Sequence, residues 1–422
     1  MWTFEEALAA VVKRTRRAAP ELADPAPALG RVLDQEVVAG ADLPPFDTTA
    51  MDGWTLTAED LAAGRNELEI AGVLAAGGPM AARLEPGRTL KVMTGAPLPA
   101  GAVAVVPVED ATVEGNTLRI PKLPAPGTHV RKRGEVFAKG TTLLRPGRRL
   151  SPADIGLAAA AGYPALAVSR RPRARLLVTG DEVVEAGRPL GAGQIWNSNG
   201  PLLAAALSAA GADVNDMGVV ADKTVFTRTA IQTALDADVE LVVLSGGVSA
   251  GDFDLVRPVL EELGAEIVFH KVAIRPAKPV LFAVYGRVLV FGLPGNPVSV
   301  AVAFDLLVRP ALRLMTGQSP ALPLPVEVVL AGAVANKGPR LAFHPARVRA
   351  VEGALRATPL APRGSHDVLA QATAEAYLVL PGGSAFQAGD RVPAYLATPE
   401  TTLGSDPGGG PGGIEKPPGS NK

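Results

Sequence analysis

The sequence predicts an α/β multidomain protein built around a doubly wound sheet between residues 173 and 318. Three observations predict it. Apolar runs of strand length alternate with helix-length segments across that stretch, as in parallel strands joined by crossover helices. On either side the texture changes to short apolar runs broken by Gly and Pro, the mark of β-rich modules. The chain has 422 residues, a length that favours roughly three domains over one.

Taken in order, Thr3 and Glu6 make a capping box for a helix with Phe4, Leu8, Val11 and Val12 on one face. Helical character is expected to run to Gly40. Residues 43–138 read as an inserted β-rich domain, with strands at 68–73, 89–93, 102–108 and 117–120. A helix returns at 152–161, where Ser151 can cap and Pro152 can occupy the first turn. Residues 1–42 and 139–172 then form one discontinuous helical domain, with 152–161 packed beside the N-terminal helix. Six strands follow at 175–179, 214–220, 240–244, 267–273, 280–284 and 288–291. The helices among and after them span 201–210, 224–235, 254–263 and 298–314. Residues 322–399 read as a C-terminal β domain. The glycine-rich stretch 400–422 cannot bury enough apolar surface to order and is expected to be a disordered tail.

Composition narrows the function. Formal net charge is −1 with no long run of one sign, which argues against a nucleic-acid partner. The absence of cysteine excludes disulfides, thiolate metal sites and cysteine nucleophiles. Glu5, Glu6 and Lys13-Arg14 interrupt any secretory apolar region at the N-terminus. No charge-free stretch reaches the ~18 residues a membrane span needs. A soluble cytoplasmic protein with no membrane partner is the expectation.

The chemistry is expected on the loops after the strands, because ligands of open α/β sheets bind outside the carboxyl ends of the strands. Five loops would converge there. Thr179, Gly180, Asp181 and Glu182 end the first strand, and Asp222 follows the second. Ser245, Gly246, Gly247, Ser249, Gly251 and Asp252 form a loop whose glycines let backbone amides approach a phosphate. Asp252 and Asp254 then stand where a divalent cation would bridge to it. Lys271, Arg275 and Lys278 could hold an oxyanion. Pro294, Gly295, Asn296, Pro297 and Ser299 make a stiff turn into a helix. Carboxylates such as Asp181 and Glu182 suit Mg²⁺ held with several waters. Each loop alone also fits a bland reading as a tight turn, an Asp helix cap, a stiff connector or ordinary surface cations. In the β module, the turns 44–54 and 93–99 individually read as structural. His129, His270, His344 and His366 lack metal-ligand spacing.

Together these elements resemble the molybdopterin molybdenumtransferase (MoeA) family, which includes the E domain of gephyrin. Six motifs carry the resemblance in order: Phe46-Asp-Thr-Thr-Ala-Met-Asp-Gly53, Met93-Thr-Gly-Ala-Pro97, Arg133-Gly-Glu135, Thr179-Gly-Asp-Glu182, Ser245-Gly-Gly-Val-Ser249 and Leu293-Pro-Gly-Asn-Pro297. The resemblance implies a helical elongated domain, an inserted β-rich domain, a MogA-like molybdopterin-binding domain and a β-barrel-like C-terminal domain. It implies an elongated homodimer with a shared active site and the molybdopterin adenylyltransferase as a partner. The implied reaction inserts molybdate into adenylyl-molybdopterin and releases AMP, with Mg²⁺ or a similar divalent cation. By motif position, Glu182, Asp222 and Asp254 match family acids that hold the metal, and Lys271 matches a family lysine. Asp52 and Thr94 match positions contributed by the partner subunit. Departures are Val136 after Glu135, where the family has Asp, Arg275 in place of lysine, and Pro345 and Leu369-Ala370 in the C-terminal domain. Two other functions stay open at this stage: a nucleotide pyrophosphatase on the same α/β domain, similar to the competence-damage proteins, and a non-catalytic molybdopterin-binding or scaffolding homologue.

Overall fold

The computed structural model describes residues 1–78, 83–248 and 255–397; the segment expected to be a tail lies outside them. Two compact units divide the chain: Leu22–Val168, and Met1–Glu21 together with the chain from Ser169 onward.

The larger unit begins with α1 (Phe4–Arg14). Its capping box is present: the Glu6 N–H donates to Thr3 Oγ1 at 3.1 Å and the Thr3 N–H donates to Glu6 Oε2 at 2.9 Å. The sheet comprises β1 (Arg173–Thr179), β2 (Asp213–Val220), β3 (Leu241–Ser245), β4 (Glu266–His270), β5 (Leu281–Tyr285) and β6 (Val288–Leu293). Their spatial order is β2-β1-β3-β6-β5-β4. β1, β2, β3 and β6 are parallel, whereas β5 runs antiparallel to both β6 and β4. Two reversals restore direction, so β4 points the same way as β6. The carboxyl ends of β1, β2, β3, β4 and β6 therefore share one rim, together with the start of β5.

Helices cover both faces. α2 (Asn199–Ala209), α5 (Pro297–Ala303) and α6 (Arg309–Thr316) lie on one face with α1, through Leu203, Leu207, Val300, Val302, Leu312 and Phe4. α3 (Thr224–Leu235) and α4 (Val256–Glu262) cover the other through Ile231, Leu235, Val259 and Leu260. Being covered on both sides, β3 shows no alternation: Leu241 to Leu244 are all fully buried. A π-helical turn, Phe304–Val308, joins α5 to α6.

The last part of the larger unit is a closed barrel of five strands: β7 (Val326–Leu330), β8 (Leu341–Val351), β9 (Ala354–Pro359), β10 (Ala376–Leu380) and β11 (Arg391–Leu396). They follow the order β8-β9-β7-β11-β10, and β10 pairs back onto β8. A short helix, α7 (Val368–Thr373), precedes β10. Ile274 and Arg275, from the rim of the α/β sheet, pair with Leu341 and Ala342 of β8.

The smaller unit contains a six-stranded sheet, with its strands at Ala102–Pro107, Gly53–Thr57, Arg88–Val92, Glu67–Leu74, Thr117–Arg119 and Thr112–Glu114 in spatial order. Its helix Pro152–Ala160 starts at a capping box between Ser151 and Asp154. That helix packs on the short turn Pro25–Ala28 around a core including Leu33, Ala158, Leu166 and Val168.

Two expectations need correction. Within the first 40 residues only Phe4–Arg14 and Pro25–Ala28 are helical; Pro20, Pro25 and Pro27 each lack the N–H that a continued helix requires. And α1 packs on α6 and the π turn of the larger unit rather than beside residues 152–161. Its apolar face found a larger hydrophobic surface than the alternation of residues could reveal. Among the described residues no helix is long and apolar enough to cross a membrane.

Candidate active site: two clefts on the sheet rim

The glycine loops close the first cleft. Gly246 has φ +94, and a Cβ there would overlap the Thr179 carbonyl. Gly247 has φ +63, with Thr179 Oγ1 and Val256 Cγ2 both 3.0 Å from where its Cβ would be. Only glycine combines that backbone with so close an approach. The Gly246 N–H donates to the Leu293 carbonyl at 3.1 Å. Ser245 Oγ donates to the Pro294 carbonyl at 3.2 Å, which draws the proline loop against the end of β3.

The resulting cleft encloses about 680 Å³. It is lined by Thr179, Glu182, Asp222, Ser245, Gly246, Gly247, Pro294, Gly295, Asn296 and Pro297, all expected from the sequence. Gly180 and Asp181 adjoin it in the loop after β1. The Asp222 N–H donates to Asp181 Oδ1 at 3.0 Å, linking the first two loops. Burial, then the negative charge of Asp181, pushes the Asp222 carboxyl above its ordinary range, and Glu182 adds to the effect. Such crowded oxygen donors have the chemistry a hard divalent cation would stabilise. Among the described residues no group of three or more His, Asp or Glu side chains is already gathered as a metal site. Ser249, Gly251, Asp252 and Asp254 lie outside the described residues.

A second cleft of about 570 Å³ adjoins the first, and Pro279 and Asn296 line both. Its walls come from the rim and from the barrel: Arg275, Lys278 and Ser299 on one side, Arg340, His344, Pro345 and Ser365 on the other. No carboxylate is among the described residues lining it. Arg340 Nη1 donates to the Ile274 carbonyl at 2.7 Å, fixing one cation. His344 Nε2 lies 2.7 Å from the Leu360 carbonyl and so carries the proton. Burial holds the His344 ring below its usual pKa, and the Arg275 charge adds to this against the Leu360 bond. Ala277, between Arg275 and Lys278, has φ +71, a strained conformation for a residue with a Cβ.

Lys271 stands on the same rim but lines neither cleft. Its φ is +80, and its backbone is held by the Val280 carbonyl at 2.9 Å and by the Trp2 N–H at 3.3 Å. Asp52 and Thr94 belong to the smaller unit. There Thr94 donates to Asp52 Oδ1 from its N–H at 2.6 Å and its hydroxyl at 2.7 Å. Val136, in the same unit, is 65% exposed.

Sequence reasoning missed Trp196, Asn199 and Arg340. The first two sit in Trp196-Asn-Ser-Asn199, a polar run with an aromatic just before a helix, and that was the available signal. Arg340 had none, because only barrel closure brings it to the rim.

A doubly wound domain with a glycine-loop cleft beside a cationic cleft on its rim defines a class of α/β domain, and residues 175–314 match the family described as "Probable molybdopterin binding domain". The flanks match as well, residues 2–162 to the MoeA N-terminal region (domain I and II) and 327–397 to the MoeA C-terminal region (domain IV). The chain belongs to the MoeA family. It is 33% identical over 381 residues to the molybdopterin molybdenumtransferase of Bacillus subtilis, covering 88% of each chain. It is 38% identical over 324 residues to molybdopterin molybdenumtransferase 2 of Mycobacterium tuberculosis, covering 74% of this chain and 80% of that one. Among solved structures, the molybdopterin biosynthesis MoeA protein from Pyrococcus horikosii aligns with a TM-score of 0.79 and 31% identity, covering 94% of this chain and 99% of that one.

Proposed function

We propose that the protein is a molybdopterin molybdenumtransferase that inserts molybdate into adenylylated molybdopterin, forms molybdenum cofactor and releases AMP. One observation carries this reading: a glycine-loop cleft edged by acids shares Asn296 and Pro279 with a cationic cleft free of carboxylates among its described residues. The arrangement suits a phosphate-bearing substrate in the first cleft and an oxyanion in the second.

In this reading Gly246 and Gly247 let the backbone approach the phosphates, and the Pro294–Pro297 turn keeps the loop in place. Arg275, Lys278 and Arg340 hold molybdate beside the dithiolene by charge-assisted hydrogen bonds. Asp222 and Glu182, with Asp254, would hold Mg²⁺, whose chemistry is to neutralise phosphate charge and polarise the phosphoanhydride. The partner subunit's Asp52 and Thr94 complete the site in a homodimer. The cytoplasm is the proposed location, with the molybdopterin adenylyltransferase as the supplier of substrate.

The test is AMP release from adenylylated molybdopterin in the presence and absence of molybdate and Mg²⁺. Release that requires both supports the reading. Release indifferent to molybdate points to a pyrophosphatase, and no release points to a binding protein.

A further inference from the structure

Asn199 is 8% exposed and lines the first cleft. Its amide Nδ2 donates to the Gly295 carbonyl at 2.7 Å and to Ser245 Oγ at 3.0 Å. Gly295 offers only a carbonyl oxygen there, so the amide cannot be turned over without placing two acceptors face to face. Ser245 passes the chain on by donating to the Pro294 carbonyl. The amide orientation is therefore fixed, and Asn199 Oδ1 is a buried acceptor with no donor among the described residues. A buried polar atom left this way costs free energy unless something supplies a hydrogen bond.

Trp196 lines the same cleft. The residue is 53% exposed although indole is among the most apolar surfaces a side chain can present. Its polar edge is already satisfied, because Nε1 donates to the Arg188 carbonyl at 2.9 Å. The backbone on either side is pinned to the acidic loop: the Ile195 N–H donates to the Glu182 carbonyl at 2.8 Å and the Asn197 N–H to the Val184 carbonyl at 2.7 Å. What remains free is an aromatic face on a rigid mount.

We propose that residues 195–199 recognise a planar nitrogen heterocycle, with Trp196 stacking on its face and Asn199 Oδ1 accepting a hydrogen bond from one of its N–H groups. The inference rests on the proposed function for the identity of the ring, which in that substrate is the adenine or the pterin. It assigns specificity to a strand–helix junction separate from the phosphate loops.

The test measures binding of AMP, purine riboside 5′-monophosphate and 6-hydroxymethylpterin to the full chain, by equilibrium dialysis and by tryptophan emission. Of the other two tryptophans, Trp54 is 6% exposed and Trp2 is 36% exposed, so a signal that disappears in Trp196→Phe belongs to Trp196. Trp196→Ala is expected to weaken the stacked ligand about ten-fold or more, and Trp196→Phe, which keeps a π face, less than about three-fold. If the ring is adenine, the effect falls on AMP, and purine riboside 5′-monophosphate, which lacks the amino donor, binds wild type about ten-fold more weakly. Asn199→Leu then abolishes that difference. If the ring is the pterin, the Trp196 and Asn199 effects fall on 6-hydroxymethylpterin and leave AMP unchanged. Unaltered binding of both rings in Trp196→Ala overturns the inference even should Asn199→Leu fail to fold. Turnover of adenylylated molybdopterin by wild type, measured in parallel, separates the two levels. Turnover with unaltered ring binding removes this inference alone, whereas no turnover and no binding of either ring removes the proposed function with it.

Discussion

Thr94 places both its backbone N–H and its hydroxyl on a single oxygen of Asp52, 42 positions earlier in the chain. The N–H bond, then the hydroxyl bond, holds the Asp52 carboxyl below its ordinary 3.8. A carboxylate with a lowered folded pKa contributes stability above its unfolded value and loses it as pH falls through the folded one. Thr94→Val removes one donor, so the Asp52 carboxyl should titrate at higher pH than in wild type. A carboxyl-carbon NMR titration reads this directly, and an unchanged midpoint would show that the hydroxyl is irrelevant.

The shared-site proposal predicts complementation. Asp52→Ala and Asp222→Ala chains, each inactive alone, should recover part of the wild-type AMP release when unfolded together and refolded. A mixed dimer would pair one intact half-site from each chain. A mixture as inactive as its parents means that the site is not shared.

Two glycines in neighbouring loops should behave differently. Gly246→Ala adds a methyl group against the Thr179 carbonyl at positive φ, and should cost ~1–3 kcal/mol in urea denaturation. At Gly295 an added Cβ meets nothing within 4 Å, so Gly295→Ala should change stability by under ~0.5 kcal/mol. If ligand approaches this loop closely, AMP release by Gly295→Ala nevertheless falls. Normal turnover there would remove Gly295 from the binding surface.

Asp305 ties the π turn to the barrel. It accepts from Arg309 at 2.6 and 3.0 Å and from the Tyr377 hydroxyl at 3.1 Å, and Gln371 in turn donates to Tyr377 at 2.9 Å. Asp305→Ala leaves the Arg309 guanidinium, 12% exposed, without this carboxylate and should cost ~3–5 kcal/mol. Tyr377→Phe should cost ~1 kcal/mol. Denaturation midpoints in the reverse order would refute the role given to the carboxylate.

In the second cleft Arg275 and Lys278 are exposed. Arg275→Gln and Lys278→Gln should each raise the molybdate concentration for half-maximal activity about ten-fold, the worth of one charge-assisted bond. Melting should hardly move. Unchanged molybdate dependence in both variants would place the oxyanion elsewhere.

The residues by themselves determined the α/β alternation, the Thr3–Glu6 capping box, the cap at Ser151 and the loops that meet at the rim. Thr3 with Glu6 and Ser151 with Asp154 act across three residues, and Gly246 and Gly247 announce a backbone that few other residues adopt. Such features depend on neighbours in sequence and are legible there. Tertiary structure decided the rest. α1 went to the larger unit because its apolar face is buried wherever the largest complementary surface lies, a sum over residues hundreds of positions away. β5 turned antiparallel because a short connection to β6 permits it, and apolar runs carry no sign of direction. The second cleft exists because β8 pairs with Ile274 and Arg275 and brings Arg340 and His344 to the rim. Asn199 was invisible as a candidate for the same reason. An asparagine beginning a helix is ordinary, and only the distant carbonyl of Gly295, by holding the amide nitrogen, leaves the amide oxygen an acceptor waiting for a donor.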